Sequence, residues 1–370
     1  MSTFAENLIG ITIENGWTIK NKIPKHSDET GGHFSSQYIA VNQSGNKCFL
    51  KAIDIEKAIM QSGVIGLEFT KILQEQMDNY NYERELLEYC KANSTSKIVL
   101  VKEYGIINNP NGVIPVPYLT FELADGNIKH YVKFQNDLDF SWKLKSLHDV
   151  ANGLQQLHNI EIIHQDVKPS NILQFRDDSK LTDLGRSKCK SKKGPYDNYP
   201  FSGDKTYAPI EIYKEFAFLQ PSDWYDRNLA MDSYLLGNLM TFYFTGLNMT
   251  ALIINKLGLL GVSESCSLIE RKAYLERCFN QSLEEIRSSI KYPTFADSIV
   301  SMISELCNPD PCKRNDKKTL RERGSNYALY RYITKLDMLS KKASIILLNI
   351  ILFIYFISNI DFYKEDLNNF

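Results

Sequence analysis

Between residues 37 and 54 apolar and polar positions alternate on either side of a turn: QYIAV, then Asn42 to Asn46, then CFLKAI. A period of two marks strands half buried on a sheet, and Gln43-Ser44-Gly45-Asn46 supplies the turn, so this stretch predicts a β-hairpin. Downstream, YNYERELLEYCKA sets charges and apolar residues at helical spacing, while KIVLVKEYGII and YLTFELA read as further strands around the turn-rich NNPNGVIP. From Phe140 the period lengthens. Trp142, Leu144, Leu147, Val150, Leu154 and Leu157 fall on one face of a helix, and the second half of the chain reads as helical. The expected fold class is therefore α+β in two lobes: a small antiparallel-sheet lobe with one main helix, then a larger helical lobe.

Composition narrows the picture. A chain of 370 residues with 43% hydrophobic content suits one two-lobed unit of about 300 residues plus a tail. Lys and Arg number 43 against 44 Asp and Glu, so there is no bulk electrostatic case for nucleic acid, and none is expected as a partner. Seven cysteines (Cys48, Cys90, Cys189, Cys266, Cys278, Cys307, Cys312), odd in number and without a CxxC pair, suggest neither a disulfide framework nor a zinc site. A reducing, cytoplasmic setting fits best. The opening MSTFAENLIGITIENGW has no basic region ahead of an apolar run and does not read as a secretory signal.

The densest chemistry lies in HQDVKPSNIL, residues 164 to 173. Moving a phosphoryl group from ATP to a hydroxyl needs an acceptor for the hydroxyl proton, a cation near the transferring phosphate and oxygen ligands for Mg2+ (or Mn2+). Asp166, Lys168 and Asn171 supply these in order, and Asp183 in KLTDLGRS suits a metal bridging the β- and γ-phosphates. Lys51, on the strand CFLKAI, can reach the α- and β-phosphates. Glu85 on the next helix is the expected partner of that lysine, with Glu83 and Glu88 as rivals on the same helix. An isolated Asp or Lys is usually a solvated surface group; the ordered set carries the inference.

These strings resemble the eukaryotic-type protein kinase family from about Trp17 to Arg323. HQDVKPSNIL is similar to the HRDxKPxNIL catalytic loop, DLG to DFG, and FLKAI to the VAIK strand. GDKTYAPIE, DSYLLG and LCNPDPCKRN resemble three later motifs. The resemblance implies a bilobal kinase fold, ATP as cosubstrate and a protein substrate, with Lys168 on the serine/threonine-directed side. It also implies an ion pair between Glu211 and Arg314, scaffold roles for Asp232 and His164, and an adenine contact by the gatekeeper and hinge at Phe121, Glu122 and Ala124. Glu211, Arg314 and the long activation segment belong to a peptide-docking arrangement and disfavour a small-molecule kinase.

Two departures stand out. The glycine-rich loop is degraded: TGGHFSSQ aligns with it, so that Gly32 is kept while Thr30 and Ser35 replace glycines. Looser phosphate binding follows, since glycine permits the closest backbone approach, and a pseudokinase acting as a nucleotide-binding or scaffolding module is the rival reading. Gln165 stands where the family usually has arginine. An arginine there needs a counter-charge from a phosphorylated activation loop; glutamine does not, as in the non-RD kinases. The basic run Arg186, Lys188, Lys190, Lys192 and Lys193 reads as solvated charge. Nearby hydroxyls make the segment an autophosphorylation candidate.

The expected boundaries are an N-terminal extension (1–16), an N-lobe (17–126), a C-lobe (127–325), a linker (326–343), an apolar helix (344–360) and a polar tail (361–370). The apolar run SIILLNIILFIYFISNI carries no charge; as a helix at about 1.5 Å per residue it extends roughly 26 Å, slightly short of a hydrocarbon core of about 30 Å. It must be buried: across a membrane that tethers a cytoplasmic kinase domain, against the helical lobe, or in a partner.

Overall fold

In the computed structural model the described residues are 2–24, 34–63, 67–110, 112–134, 140–263, 265–315, 318–319 and 327–367, with side chains from 351 onward outside the description. The hairpin forms as the alternation requires: β2 (Ser35–Val41) pairs antiparallel with β3 (Lys47–Ile53) around the Asn42–Asn46 turn. With β1 (Thr18–Ile23), β4 (Val101–Ile107) and β5 (Val116–Glu122) they make a five-stranded antiparallel sheet in the order β1-β2-β3-β5-β4.

The two faces of β3 have different tasks. Cys48, Leu50 and Ala52 point into a core shared with Tyr38 and Ala40, which leaves Phe49 and Lys51 on the other face. Residues 2–16, within the segment 1–16 set apart in the sequence as an extension, belong to this core: Ala5, Leu8 and Ile13 are buried in it, and Thr3 donates a hydrogen bond to the buried Asp54 at 2.7 Å. Asp54 caps a helix that the sequence reading missed, α1 (Ile55–Ser62), by accepting from the Lys57 N–H. The main helix α2 (Leu67–Ala92) is twice as long as the charged pattern suggested.

After β5 come the short β6 (Gly126–Asn127) and α3 (Ile128–Phe134), then α4 (Phe140–Asn159), where the expected face is realised: Leu144, Leu147, Val150, Leu154 and Leu157 are all fully buried. Four short strands follow: β7 (Ile162–Ile163), β8 (Ile172–Phe175), β9 (Asp178–Leu181) and β10 (Lys188–Cys189). The rest is helical: α5 (Trp224–Thr245), α6 (Met249–Leu259), α7 (Leu268–Ser289), α8 (Pro293–Leu306) and α9 (Tyr330–Leu367). Helix α5 is buried along nearly its whole length and forms the post of this lobe.

The expected linker and apolar helix are one element, α9, of 38 residues. Tyr332, Leu336, Ser340 and Ala343 recur at helical spacing and are buried, and Ser141 of α4 donates to the Ser340 carbonyl at 2.9 Å, so the first half is docked on the helical lobe. Ile345 and Leu348 remain exposed. Among the described residues no helix is long and apolar enough to cross a membrane.

Candidate active site

The site assembles where β3 and α2 of the sheet lobe face the loop after β7 and the turn after β9. Lys51 projects from β3 with Nζ 2.8 Å and 3.0 Å from the two carboxylate oxygens of Glu83 and 3.2 Å from Asp183 Oδ1. The expected partner Glu85 is not there. It is half exposed and pairs with Arg84 at 3.4 Å and with Lys192. The reason is helical register: Tyr80, Glu83, Leu87 and Cys90 form the buried stripe of α2 at spacings of three and four, which Glu85 and Glu88 lie off. The stripe was present in the sequence and would have selected Glu83.

Burial opposes the charge on Lys51, yet the carboxylates of Asp183 and Glu83 outweigh it and raise its pKa. The Lys51 charge in turn holds Asp183 below the usual carboxylate range, outweighing the partial desolvation of its carboxylate in the cleft. The ammonium and Asp183 are therefore both ionised.

The catalytic-loop string folds around its own side chains. Asn171 Nδ2 donates to the Asp166 carbonyl at 2.8 Å and to Asp166 Oδ2 at 2.9 Å, leaving its amide oxygen as a hard donor. Lys168 Nζ lies 3.2 Å from Asp166 Oδ2 and 3.3 Å from Asp204 Oδ2. Burial pushes the Asp166 carboxyl up, with Lys168 acting against it. The His164 ring accepts from the Asp166 N–H at 3.2 Å through Nδ1, so Nε2 donates to the Thr182 carbonyl at 3.1 Å.

Two backbone positions flank the site in the left-handed region: Gln165 at φ 67° and Asp183 at φ 65°. Gln165 is held there by Asp232 of α5, whose carboxylate accepts from the His164 and Gln165 N–H groups, each at 2.8 Å, and contacts His158 Nε2 at 2.9 Å. Deeper in the lobe Arg314 grips Glu211 with two bonds of 2.7 Å, both side chains sealed from solvent. Phe121 is buried against Phe49 with ring centroids 6.2 Å apart, while Glu122 is exposed and Ala124 half-buried. Gly32 and Thr30 lie outside the described residues.

The basic run is not simply solvated. Lys188 is 1% exposed and donates to the Tyr199 carbonyl at 2.6 Å and to Asn228 Oδ1 at 3.1 Å. Arg186 donates to the Ser202 carbonyl at 2.8 Å, and Lys192 pairs with Glu85. These cations tie the activation segment to α5, to itself and to α2. Asp204 stood inside the string GDKTYAPIE without a role of its own, and its fold neighbours reveal one.

A two-lobed fold with a lysine–carboxylate–carboxylate cluster above an Asp-Lys-Asn loop defines a phosphotransferase of the kinase type. The protein kinase domain family model matches residues 31–323, and the chain belongs to that family. It is 27% identical over 208 residues to mitogen-activated protein kinase 3 of Oryza sativa subsp. japonica, covering 53% of this chain and 54% of that protein. It is 29% identical over 164 residues to serine/threonine-protein kinase greatwall of Xenopus tropicalis, covering 44% and 16% respectively. It is 35% identical over 94 residues to ribosomal protein S6 kinase alpha-6 of Danio rerio, covering 25% and 13%. The chain thus spans about half the length of the first of these relatives and a smaller share of the other two.

Proposed function

We propose that the chain transfers the γ-phosphoryl group of ATP to serine or threonine hydroxyls of proteins, its own activation segment among them. The observation that carries this reading is Lys51 held between Glu83 and Asp183, which aims a fixed cation at the position a nucleotide's phosphates would take.

Asp166, poised by Asn171, accepts the proton of the incoming hydroxyl; its raised pKa favours it as a base. Lys168 stands beside it to meet the transferring phosphate. Lys51 orients the α- and β-phosphates, with Glu83 in the role expected for Glu85. The Asp183 carboxylate and the Asn171 amide oxygen are hard oxygen donors and fit Mg2+ or Mn2+, which would neutralise phosphate charge when bound. Phe121 and Glu122 end the strand beside that of Lys51, and the backbone from Phe121 to Ala124 takes the adenine in this reading. Gln165, uncharged and pinned by Asp232, supports activity without a phosphate on the activation segment.

Radiolabelled γ-phosphate transfer by the full chain to a mixed serine/threonine peptide library is the direct test. Incorporation lost in Asp166→Asn supports the reading; equal incorporation in that variant refutes Asp166 as the base, and none in the wild type refutes the transfer itself and leaves a pseudokinase.

A further inference from the structure

Helix α9 runs antiparallel to α4 and outlasts it. The Tyr330 hydroxyl donates to Asn159 Oδ1 at the end of α4 at 3.0 Å, while at its start Ser141 donates to the Ser340 carbonyl at 2.9 Å and meets the Ser344 hydroxyl. Helix α4 begins at Phe140, yet α9 continues to Leu367, roughly 34 Å beyond Ser344 at about 1.5 Å per residue. It therefore outruns the helix that supports it. Where it does so, Ile345 and Leu348 are 61% and 57% exposed.

The run that follows needs cover on every side. Ile, Leu and Phe fill twelve of the seventeen positions from 344 to 360 without one charge, and Asn349, Ser358 and Asn359 are too few to make a polar face. An amphipathic helix lies along a surface; one that is apolar all round does not. Of these side chains those of Ser344, Ile345, Ile346, Leu348 and Asn349 are described, and the apolar character of the rest is a property of the sequence.

Lysines from three elements ring the exit point. Lys341 and Lys342 belong to α9, Lys143 to α4 and Lys291 to the turn before α8. Lys342 Nζ lies 5.5 Å from the centre of the Phe295 ring and Lys291 Nζ 5.9 Å from that of Tyr292. Both rings pack on Phe140, with centroids 5.2 and 4.9 Å away. Lys143 stands one turn along α4 from Phe140, and burial together with the Lys291 charge lowers its pKa. Lys341 pairs with Asp337 of its own helix at 2.6 Å, but among the described residues no carboxylate pairs with Lys143, Lys291 or Lys342.

We propose that α9 anchors the chain in a lipid bilayer: the run 344–360 crosses it, and Lys143, Lys291, Lys341 and Lys342 rest on anionic headgroups of the face that carries the helical lobe. Unpaired positive charge around an emerging apolar helix complements such a surface. A second copy joined in parallel along the run would instead crowd like charges together. Seventeen residues extend about 26 Å against a hydrocarbon core of about 30 Å, and lysine stems reaching up to the headgroups close the difference. Asp361, Glu365 and Asp366 then lie on the far side, with the lysines on the near one, in keeping with the positive-inside tendency.

The test uses the full chain. Produced in cells, it should pellet with membranes and resist alkaline carbonate, whereas the double variant Ile351→Asp, Phe353→Asp should leave the membranes with its melting temperature unchanged. In nanodiscs of phosphatidylcholine with phosphatidylserine, chemical acetylation of Lys143, Lys291 and Lys342, read by mass spectrometry, should fall several-fold relative to phosphatidylcholine alone. Lys20 and Lys47, exposed on the sheet lobe, should not change. Full-length protein that stays in the cytosolic fraction without detergent overturns the proposal: as a monomer it assigns the run to its own lobe, as a dimer to a second copy. Equal lysine reactivity in the two nanodiscs, or a double variant that still resists carbonate, overturns it as well. No readout depends on turnover, so the result stands whether or not the chain transfers phosphate.

Discussion

Two lysine- or arginine-centred clusters, Lys51–Glu83–Asp183 in the cleft and Arg314–Glu211 in the helical lobe, use the same kinds of charge for different ends. The Arg314 pair is closed: two parallel bonds of 2.7 Å, no solvent, a further bond of 3.0 Å to the Ala230 carbonyl and the Tyr234 ring 4.7 Å away. Arg314 Nε donates to the Asn308 carbonyl at 2.9 Å as well. The cleft cluster is open: Asp183 keeps a side-chain exposure of 34%, and one ammonium answers to two carboxylates from different lobes. A pair that is saturated and sealed stabilises a scaffold, whereas one left wet and shared can exchange a partner for a ligand. Geometry, not residue type, separates structure from chemistry here.

The comparison breaks first at Arg314. Arg314→Met leaves Glu211 buried without its partner and should cost about 3–5 kcal/mol of stability by denaturant titration. Arg314→Met combined with Glu211→Leu should recover much of that; equal losses in single and double variants would mean that the closed pair acts as no unit. Asp166→Asn and Lys51→Met should do the reverse, lowering phosphoryl transfer by on the order of a hundredfold or more with the melting temperature little changed. Glu83→Gln should lower transfer by about tenfold or more, while Glu85→Gln, at a half-exposed pair, should change it by less than about twofold. The opposite ranking would reinstate Glu85.

A last test concerns Lys188, a third cation that is sealed like Arg314 yet meets only neutral oxygens within bonding distance. Burial pushes its pKa down to about 8. Between that value and an ordinary lysine pKa of about 10.4, the unfolded chain binds a proton that the folded chain does not, so this group makes stability rise with pH across that window. Thermal melts from pH 7 to 10 should show the wild type gaining on Lys188→Met; parallel curves would refute it.

The strands of the hairpin, α4 and the order of Lys51, Asp166, Lys168, Asn171 and Asp183 were all legible because each rests on local spacing. Glu83 was legible too, in the stripe Tyr80, Glu83, Leu87, Cys90, but a polar residue inside an apolar stripe was passed over for one nearer the expected motif offset. What the sequence hid was long-range. Thr3 on Asp54, Lys188 on Asn228 and Asp204 on Lys168 join residues whose meeting depends on how whole elements pack. The docking of α9 was hidden for the same reason: a run of apolar residues calls for burial without saying against what.

Asp232 has a consequence in time. Its carboxylate, set on the central post α5, receives main-chain donors from His164, 68 residues earlier, and from Gln165, 67 residues earlier. The bond from the Gln165 N–H holds that residue's left-handed conformation in place, and both bonds require a long loop to close and α5 to be in place. The reactive geometry is thus a late arrival on the folding path: after dilution from denaturant, recovered phosphoryl transfer should trail the helical signal and never precede it.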